Sequence, residues 1–279
     1  MHDPLATLLQ RFDLKARVFY TGNLCTLVNF DANDGVGHLH LLKAGAMALI
    51  GSNGVPLQFA EPTLLFYPRA AQHRIQPDPH AGADLVCASV EFGAKVGSPL
   101  AHGLPELLAI PMRELPQLTG VLDALFAEAF TPGTGREAAL NRLAEVVLIY
   151  VLRHALDRGL LKSGVMAGLA DERLAKALTV MHENPERPWT LEDLARAAGM
   201  SRARFAARFT EVVGQPAGDY LAAWRIQVAM DLLLQGRQVK NIFDEVGYGS
   251  ANALTRAFTQ RIGMTPTEWL AQVQHPVGR

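Results

Sequence analysis

The chain has 279 residues, of which 49% are hydrophobic and 19% charged, with a formal net charge of −1. This length accommodates two domains with separate cores, and the composition is typical of a soluble globular protein. The balance of charge is the one argument against nucleic-acid binding, because phosphate neutralisation favours basic domains and residues 171–279 hold only 13 Lys and Arg against 12 Asp and Glu.

The N-terminal twenty residues lack the apolar core of a signal peptide. They carry the charged residues Asp3, Arg11, Asp13, Lys15 and Arg17. The longest strongly apolar stretch, 146–152, is far too short to cross a bilayer. We therefore expect a cytoplasmic protein with no membrane partner.

Residues 19–96 alternate short runs rich in β-formers with turn clusters, which predicts an all-β barrel or sandwich. The expected strands are 24–30, 38–42, 46–51, 63–67 and 85–92. The expected turns are 31–35, 51–54 and 77–79.

Three histidines of this β region are candidate metal ligands. His38 and His40 alternate along one strand, so they point to the same side, and His73 can join them from another strand. Imidazoles suit Zn, Ni, Cu or Fe, and we name Zn or Cu as the candidate cofactors. The alternative is that His38 and His40 lie on an outer, solvated strand face.

The two cysteines, Cys25 and Cys87, both fall inside predicted strands. There they can be ordinary small hydrophobes, or a pair that forms a transient regulatory disulfide, because the cytosol disfavours structural ones. A third alternative is that Cys25, Cys87, His40 and His73 converge as a thiolate–imidazole site for Zn or Cu(I).

Two amphipathic helices are expected over 115–161, separated by 131–135. The second carries an apolar stripe at helical spacing: Leu140, Leu143, Val147, Tyr150, Val151 and His154. This stripe either packs on the β region or forms a dimer seam. Because the middle of the helix is apolar nearly all round, we expect both contacts and a homodimer. The small residues of 162–168 predict a linker.

Two copies of one short pattern lie near the C-terminus, over about 191–212 and 239–262. In each copy a helical run ends at a glycine, and a serine suited to capping a second helix follows. Five marked positions keep a constant offset of 49 residues: Ser201/Ser250, Phe205/Leu254, Phe209/Phe258, Gly214/Gly263 and Tyr220/Trp269. A short helix, a tight turn and a second helix with a polar face form the helix-turn-helix pattern. One copy alone also fits a plain helical bundle, but the duplication favours two DNA-reading modules.

Residues 171–272 resemble the AraC/XylS family of bacterial transcription regulators. The resemblance is carried by Trp189-Thr190-Leu-Glu-Asp-Leu-Ala, Gly199-Met-Ser201, Trp224-Arg225-Ile-Gln-Val-Ala-Met-Asp-Leu-Leu, Gly247-Tyr248-Gly-Ser250 and Gly263-Met-Thr-Pro266-Thr-Glu-Trp. It implies that a long helix, about 217–235, joins two modules whose recognition helices enter adjacent major-groove segments. It also implies double-stranded DNA and RNA polymerase as partners; the choice between activator and repressor stays open.

The resemblance assigns DNA-binding roles by position. The candidate base-facing residues are Arg202, Ala203, Ala206 and Ala207 in the first recognition helix, and Ala251, Asn252, Thr255 and Arg256 in the second. Ser201 and Ser250 cap these helices. Because alanine offers only a methyl group to a thymine, Arg202, Arg204 and Arg208 are expected to bind phosphates instead. Phe243 departs from the small residue that the family has beside the turn, which puts the packing of the second module in question.

The β region is similar to the cupin-type sensor domain of one subgroup of these regulators. The residues concerned are Asp13-Leu-Lys-Ala-Arg-Val-Phe19, His40-Leu-Leu-Lys-Ala-Gly45, Glu61-Pro-Thr-Leu-Leu-Phe-Tyr-Pro68 and His73. The resemblance implies effector sensing and, in some members, a response to oxidants through a cysteine pair at the places of Cys25 and Cys87. Metal-binding cupins add a glutamate where this chain has Lys43 and Ala44, so we expect no enzyme.

The sequence thus predicts a two-domain α+β protein: a cupin-like sensor over 1–114, a helical connector over 115–168 and a DNA-binding domain over 169–279. We expect a transcription regulator whose sensor, on binding an effector or on oxidation of Cys25 and Cys87, changes how the DNA-binding domains are presented. Two alternatives stay open. In one, a small organic ligand or a metal in the β cavity is the effector; in the other, a metal-dependent cupin enzyme is fused to a DNA-binding domain.

Overall fold

The structure is a computed structural model that describes Leu9 and residues 14–32, 35–92, 103–161 and 163–274. The described chain divides between positions 161 and 163 into two compact units. Some sequence predictions lie outside it in part: the charges of Asp3, Arg11 and Asp13, the turn at 31–35 and the linker at 162–168. No helix of the described residues combines the length and the hydropathy needed to cross a membrane.

The first unit is a sandwich of two antiparallel sheets. The strands are β1 (Leu14–Leu24), β2 (Val28–Phe30), β3 (Gly37–Gly45), β4 (Met47–Ile50), β5 (Pro56–Phe59), β6 (Thr63–Tyr67), β7 (His73–Pro77), β8 (Ala83–Phe92) and β9 (Leu108–Pro111). One sheet has the order β1-β8-β3-β6-β9 and the other the order β2-β7-β4-β5. The prediction of a barrel or sandwich is confirmed in its second form.

The core between the sheets follows from strand alternation. Alternate residues of β3, β6 and β8 face this core, and the apolar members that bury there include Leu42, Leu65, Leu85 and Cys87. On the opposite face of the same sheet, Leu39, Leu41, Leu64, Phe66, Val86 and Val90 are also buried. The five-stranded sheet is therefore apolar on both faces, as a sheet covered on both sides must be.

The predicted strand at 24–30 is wrong. Leu24 is the last residue of β1, paired with Ala83 of β8, and Val28 is the first residue of β2, paired with Ile75 of the other sheet. Residues 25–27 carry the chain between the sheets, so Cys25 lies outside the strands. The prediction failed because the end of β1 and the start of β2 are so close in sequence that they form one continuous apolar run.

Two helices complete this unit: α1 (Thr119–Phe130) and α2 (Arg136–Asp157), as predicted. They are tied to β1 by side-chain hydrogen bonds. The amide of Val18 donates to Asn141 Oδ1 (2.8 Å), and Arg136 Nη2 donates to Thr21 Oγ1 (2.7 Å). Of the predicted stripe on α2, Leu140, Val147, Val151 and His154 are buried, and Leu143 and Tyr150 are half-buried.

The second unit is all-helical. Its helices are α3 (Val165–Ala170), α4 (Glu172–Glu183), α5 (Leu191–Ala197), α6 (Arg202–Val213), α7 (Ala217–Leu234), α8 (Ala251–Ile262) and α9 (Pro266–Gln274). The long helix expected at 217–235 is confirmed as α7.

Helix α3 occupies part of the segment expected as a linker. Its apolar residues Val165, Met166 and Leu169 are buried. A Cβ at Gly168 would lie 2.7 Å from Leu178 Cδ1 and 3.0 Å from Val213 Cγ2. The absence of a side chain at Gly168 permits close helix packing here. The same small residues led the sequence analysis to predict a linker.

Candidate functional site

The first helix-turn-helix module spans α5 and α6. Thr190 and Asp193 form a capping box at the start of α5: Asp193 N donates to Thr190 Oγ1 (3.1 Å) and Thr190 N donates to Asp193 Oδ2 (3.2 Å). The hydroxyl and amide of Thr190 lower the pKa of the Asp193 carboxyl. After the turn at Gly199, Ser201 Oγ accepts from Arg204 N (3.4 Å) and caps α6, as predicted.

The second module differs from the first in its leading helix. Residues Val239–Asn241 form a 3₁₀ helix that continues as turns, and no side chain caps it at Gln238. This segment has weak helix propensity because it lacks a cap and because Val239 and Ile242 in its first turn are β-branched. Ile242 and Val246 are nevertheless buried, so the segment still packs as the first element of a module.

The recognition helix of the second module is regular. Ser250 Oγ accepts from Ala253 N (3.1 Å) and caps α8, which ends at Gly263 with a φ of 84°. Leu254 and Phe258 are buried, as are Phe205 and Phe209 of α6. The constant offset between the two copies therefore corresponds to the same contact in both: residues at two equivalent positions anchor each recognition helix to its core.

Most of the predicted DNA-binding residues lie on the outer sides of α6 and α8. Those exposed are Ser201, Arg202, Ala203, Arg204, Ala207, Arg208, Ser250, Asn252 and Arg256, and those half-buried are Ala206, Ala251 and Thr255. The Thr255 hydroxyl donates to the Ala251 carbonyl (2.9 Å). Among the base-facing candidates, Arg202 of α6 and Asn252 and Arg256 of α8 combine exposure with side-chain donors that suit base edges.

Arg208 has intramolecular partners that the sequence did not reveal. Its Nε donates to Asp171 Oδ2 (3.1 Å) and its Nη1 to Glu211 Oε2 (3.2 Å), which raises the pKa of the guanidinium. Asp171 also caps α4 by accepting from Arg173 N and Leu174 N. Burial opposes ionisation of Asp171, but these donors and Arg208 together lower its pKa. A guanidinium has five N–H donors, so Arg208 can keep both carboxylates and still donate to a phosphate, although its net charge is partly offset by them.

In the first unit, the three histidines meet between the sheets rather than on a solvated face. His38, His40 and His73 are all buried. His40 Nε2 and His73 Nε2 are 3.0 Å apart, and His73 Nδ1 lies 2.7 Å from the Ala71 carbonyl oxygen. Because a carbonyl only accepts, His73 Nδ1 carries the proton and His40 Nε2 donates to His73 Nε2. The acceptor His40 Nδ1 is buried with no hydrogen-bond partner among the described residues.

Aromatic rings enclose the histidines. His73 is stacked between Phe30 (ring centroids 4.6 Å apart) and Tyr67 (4.1 Å). Phe19, half-exposed at a β-bulge of β1, approaches His38 with a centroid distance of 6.1 Å. Bulges commonly re-aim a side chain beside a functional site.

Burial keeps His40 and His73 neutral at pH 7. Loss of hydration lowers the pKa of His40 well below its ordinary value and lowers that of His73 to about 4. Neutral imidazoles are the metal-binding form. In the part of the chain that the structure describes, however, no three His, Cys, Asp or Glu side chains are placed to hold a metal ion.

The cysteines are separate and both are free thiols. Cys87 is buried directly opposite His40 and Tyr20, and burial raises its pKa to about 12. Cys25 is exposed and donates to Asn23 Oδ1 (2.9 Å). Its neighbour Leu24 pairs with Ala83, four positions from Cys87. With a rise of about 3.3 Å per residue, Leu24 lies roughly 13 Å from Cys87 along the strand. A disulfide needs Cα atoms within about 7 Å, so this pairing cannot close without rearrangement.

Comparison with known proteins agrees with both halves. A family model described as Cupin matches residues 3–157, and one described as a helix-turn-helix domain matches 194–272. An AraC-like transcription regulator of Streptomyces lividans is 37% identical over 66% of this chain and 62% of its own. The transcriptional regulator MtrA of Neisseria gonorrhoeae is 27% identical over 84% and 85%. Fatty-acid-bound ToxT of Vibrio cholerae, at 13% identity, covers 93% of this chain and 95% of its own with a TM-score of 0.41.

The chain spans about three fifths of the length of the first relatives that it matches.

Proposed function

The chain belongs to the cupin family over residues 3–157 and to the AraC-type regulators by its helix-turn-helix half, and we propose that it binds double-stranded DNA and regulates transcription in response to an effector. The observation that carries the proposal is the pair of capped recognition helices, α6 and α8, in one helical unit. Helix α6 buries Phe205, Phe209 and Val213, α8 buries Leu254 and Phe258, and each turns its polar side to solvent. The near-neutral charge is compatible with binding if the exposed arginines of these helices supply the local positive charge.

The test is selection of binding sites from a random duplex library by the full chain. We expect a two-part site whose halves lie about one helical turn apart. Arg202→Ala combined with Arg256→Ala should abolish enrichment, because it removes two cations from the outer sides of the recognition helices. Arg17→Ala combined with Arg74→Ala makes the same change in charge at exposed positions of β1 and β7 and should leave enrichment intact. Failure of the unaltered chain to enrich any sequence would refute the proposed function.

We place the effector site in the core between the two sheets, around the histidines. The unpartnered Nδ1 of His40 is an acceptor for a ligand N–H or O–H group, and leaving such a group unsatisfied costs roughly 1–3 kcal/mol. The rings of Phe30 and Tyr67, which stack on His73, make the surroundings of this acceptor apolar and so favour an organic ligand over an ion. Half-exposed Phe19, at the edge of the sandwich, would cover its entrance. This position supports a regulator with an organic effector over a metal-dependent enzyme.

Oxidation of the cysteine pair is the second candidate signal, and the register weighs against it. Mild hypochlorous acid or peroxide, followed by non-reducing peptide mapping, should modify exposed Cys25 and leave Cys87 as a free thiol, since a thiol with a pKa near 12 holds little thiolate. Cys25→Ser removes one partner of any disulfide at an exposed position outside the proposed effector site, so it should leave effector-dependent DNA binding intact. A linked Cys25–Cys87 peptide at stoichiometric oxidant would contradict this and establish a thiol switch.

We also propose that the regulator is a cytoplasmic homodimer and an activator that contacts RNA polymerase, as its AraC-type membership suggests. Half-buried Leu143, Val146, Ile149 and Tyr150 leave an apolar side of α2 partly open, which supports pairing through this helix. The same selection tests the dimer, because a dimer should enrich two copies of the two-part site and a monomer one.

A further inference from the structure

Arg225 of α7 binds the segment that leads into the first module. Its Nε donates to the Pro185 carbonyl (2.7 Å) and its Nη2 to the Arg187 carbonyl (2.8 Å). These carbonyls lie in the short segment between α4 and α5. Trp189 of the same segment donates from Nε1 to the Asn184 carbonyl (2.9 Å), and the Arg187 guanidinium lies over its ring (4.1 Å). The segment is thus fixed, and Arg225 is bonded to a rigid target.

The other side of the same guanidinium lies against the turn of the second module. A Cβ built at Gly247 would be 2.7 Å from Arg225 Cζ and Nη2 and 2.8 Å from Nε. Gly247 has a φ of 76° and precedes Tyr248, whose ring centroid is 6.0 Å from Arg225 Cζ. Glycine is therefore required twice at this turn, once by its conformation and once by the close approach of the arginine.

Lysine cannot replace this arginine. The guanidinium presents donors in a flat, rigid fork, so one side chain bonds two carbonyls in its plane while its face packs on Gly247. An ammonium keeps the charge but not the fork or the flat face. Burial lowers the pKa of Arg225, opposed by Tyr248 and Glu186. The guanidinium loses part of its hydration and gains bonds to backbone oxygens only. Such an arrangement suits a residue that positions the chain.

We propose that Arg225 is a positioning residue that sets the distance between the two helix-turn-helix modules, and hence the spacing of the two half-sites that the protein prefers. The proposal rests on the proposed DNA-binding function. When two modules are joined, the second binding event is intramolecular, and its strength depends on how well their separation matches that of the half-sites. A loosened joint lowers affinity for the whole site and leaves each module's own affinity unchanged.

The experiment uses the full chain and the selected two-part duplex. Further probes have either half scrambled, or one base pair inserted between the halves. Arg225→Lys should weaken binding to the whole site about tenfold, as expected for the loss of a hydrogen bond to a charged group. It should change half-site binding less than twofold and reduce the loss caused by the insertion. Arg173→Lys is the matched control, because Arg173 Nη1 donates from α4 to the Gly199 carbonyl in the turn of the first module (3.4 Å) and this bond does not reach the second module.

Gly247→Ala disturbs the same contact from the second module and should give the same pattern, which keeps the test available if Arg225→Lys does not fold. Equal losses on whole and half sites would overturn the proposal, because they would make Arg225 a DNA contact or a residue needed only for folding. An unchanged insertion penalty would overturn it as well. If the unaltered chain selects no DNA at all, the proposed function fails first, and that result is distinct from both.

Discussion

Asn252→Ala is expected to weaken binding to the selected site tenfold or more and to leave binding to a scrambled duplex unchanged. Asn252 is exposed in the first turn of α8. A side-chain amide pairs with adenine through two hydrogen bonds, and such a pair is worth about 1–3 kcal/mol of discrimination. At the corresponding place in α6, Ala203 and Ala207 offer only methyl groups, so α8 is expected to carry most of the sequence reading.

The contrast with an arginine that binds phosphate separates reading from attraction. Arg202→Ala should weaken binding to selected and scrambled duplexes alike and lower the salt dependence by about one charge. Competition binding at several salt concentrations distinguishes the two variants. Asn241→Ala, at an exposed asparagine outside the recognition helix, is the control for the loss of an amide. If Asn252→Ala weakened all sequences equally, α8 would be a phosphate-binding helix and the division of labour would be wrong.

The sequence predicted what depends on local pattern. Helical spacing with a serine cap located α6 and α8, and a run of β-formers located β6 at 63–67. It failed where neighbours in space decide. The run at 24–30 is continuous in hydrophobicity, yet the chain changes sheets inside it. The first element of the second module has the right apolar positions but lacks the cap that turns such a pattern into a regular helix.

The candidate sites show the same limit. Alternation along β3 placed His38 and His40 on one side, but only the second sheet, which brings His73 of β7 against His40, makes that side the interior. The ion pair of Arg208 with Asp171 joins residues 37 apart in the chain. Arg225 bonds backbone carbonyls 40 and 38 positions away, and carbonyls leave no signature in a sequence. In the sequence, Arg225 is visible only as one residue of a family motif, and nothing there indicates its partners.

Acidification from pH 7 to pH 4 is expected to destabilise the β-sandwich by about 3 kcal/mol through His73 alone. An unfolded histidine has a pKa near 6.5, and the folded His73 has one of about 4. Between these values the unfolded chain binds more protons than the folded chain, so the free energy of unfolding falls as the pH falls. This contribution of His73 to the free energy of unfolding is fully present above about pH 6.5, and it levels off once the pH falls below about 4. His40, with a pKa lowered in the same direction, adds to the effect.

Hydrogen exchange in peptides of β3, β6 and β8, corrected for intrinsic rates, measures this destabilisation where it arises. The three tryptophans, Trp189, Trp224 and Trp269, all lie in the helical unit, so their fluorescence in urea follows that unit separately. In the helical unit, Asp171 and Asp193 have lowered pKa values that start from an ordinary 3.8, below this window; Glu245 and Glu268 start from 4.5 but are exposed, so solvent screening keeps their contribution above pH 4 small. The helical unit should therefore keep its stability between pH 6.5 and pH 4 while the sandwich loses it.

A variant that removes the titrating ring decides whether the histidine core is the cause. His73→Asn keeps a donor for the Ala71 carbonyl but cannot be protonated, so it should lower stability at pH 7 and flatten the pH dependence of sandwich exchange. His80→Asn removes an exposed, solvated histidine of the same unit and should leave the slope unchanged. A sandwich as stable at pH 4 as at pH 7 would show that the core admits water or charge around His73. The aromatic enclosure by Phe30 and Tyr67, and with it the buried acceptor proposed to hold the effector, would then be wrong.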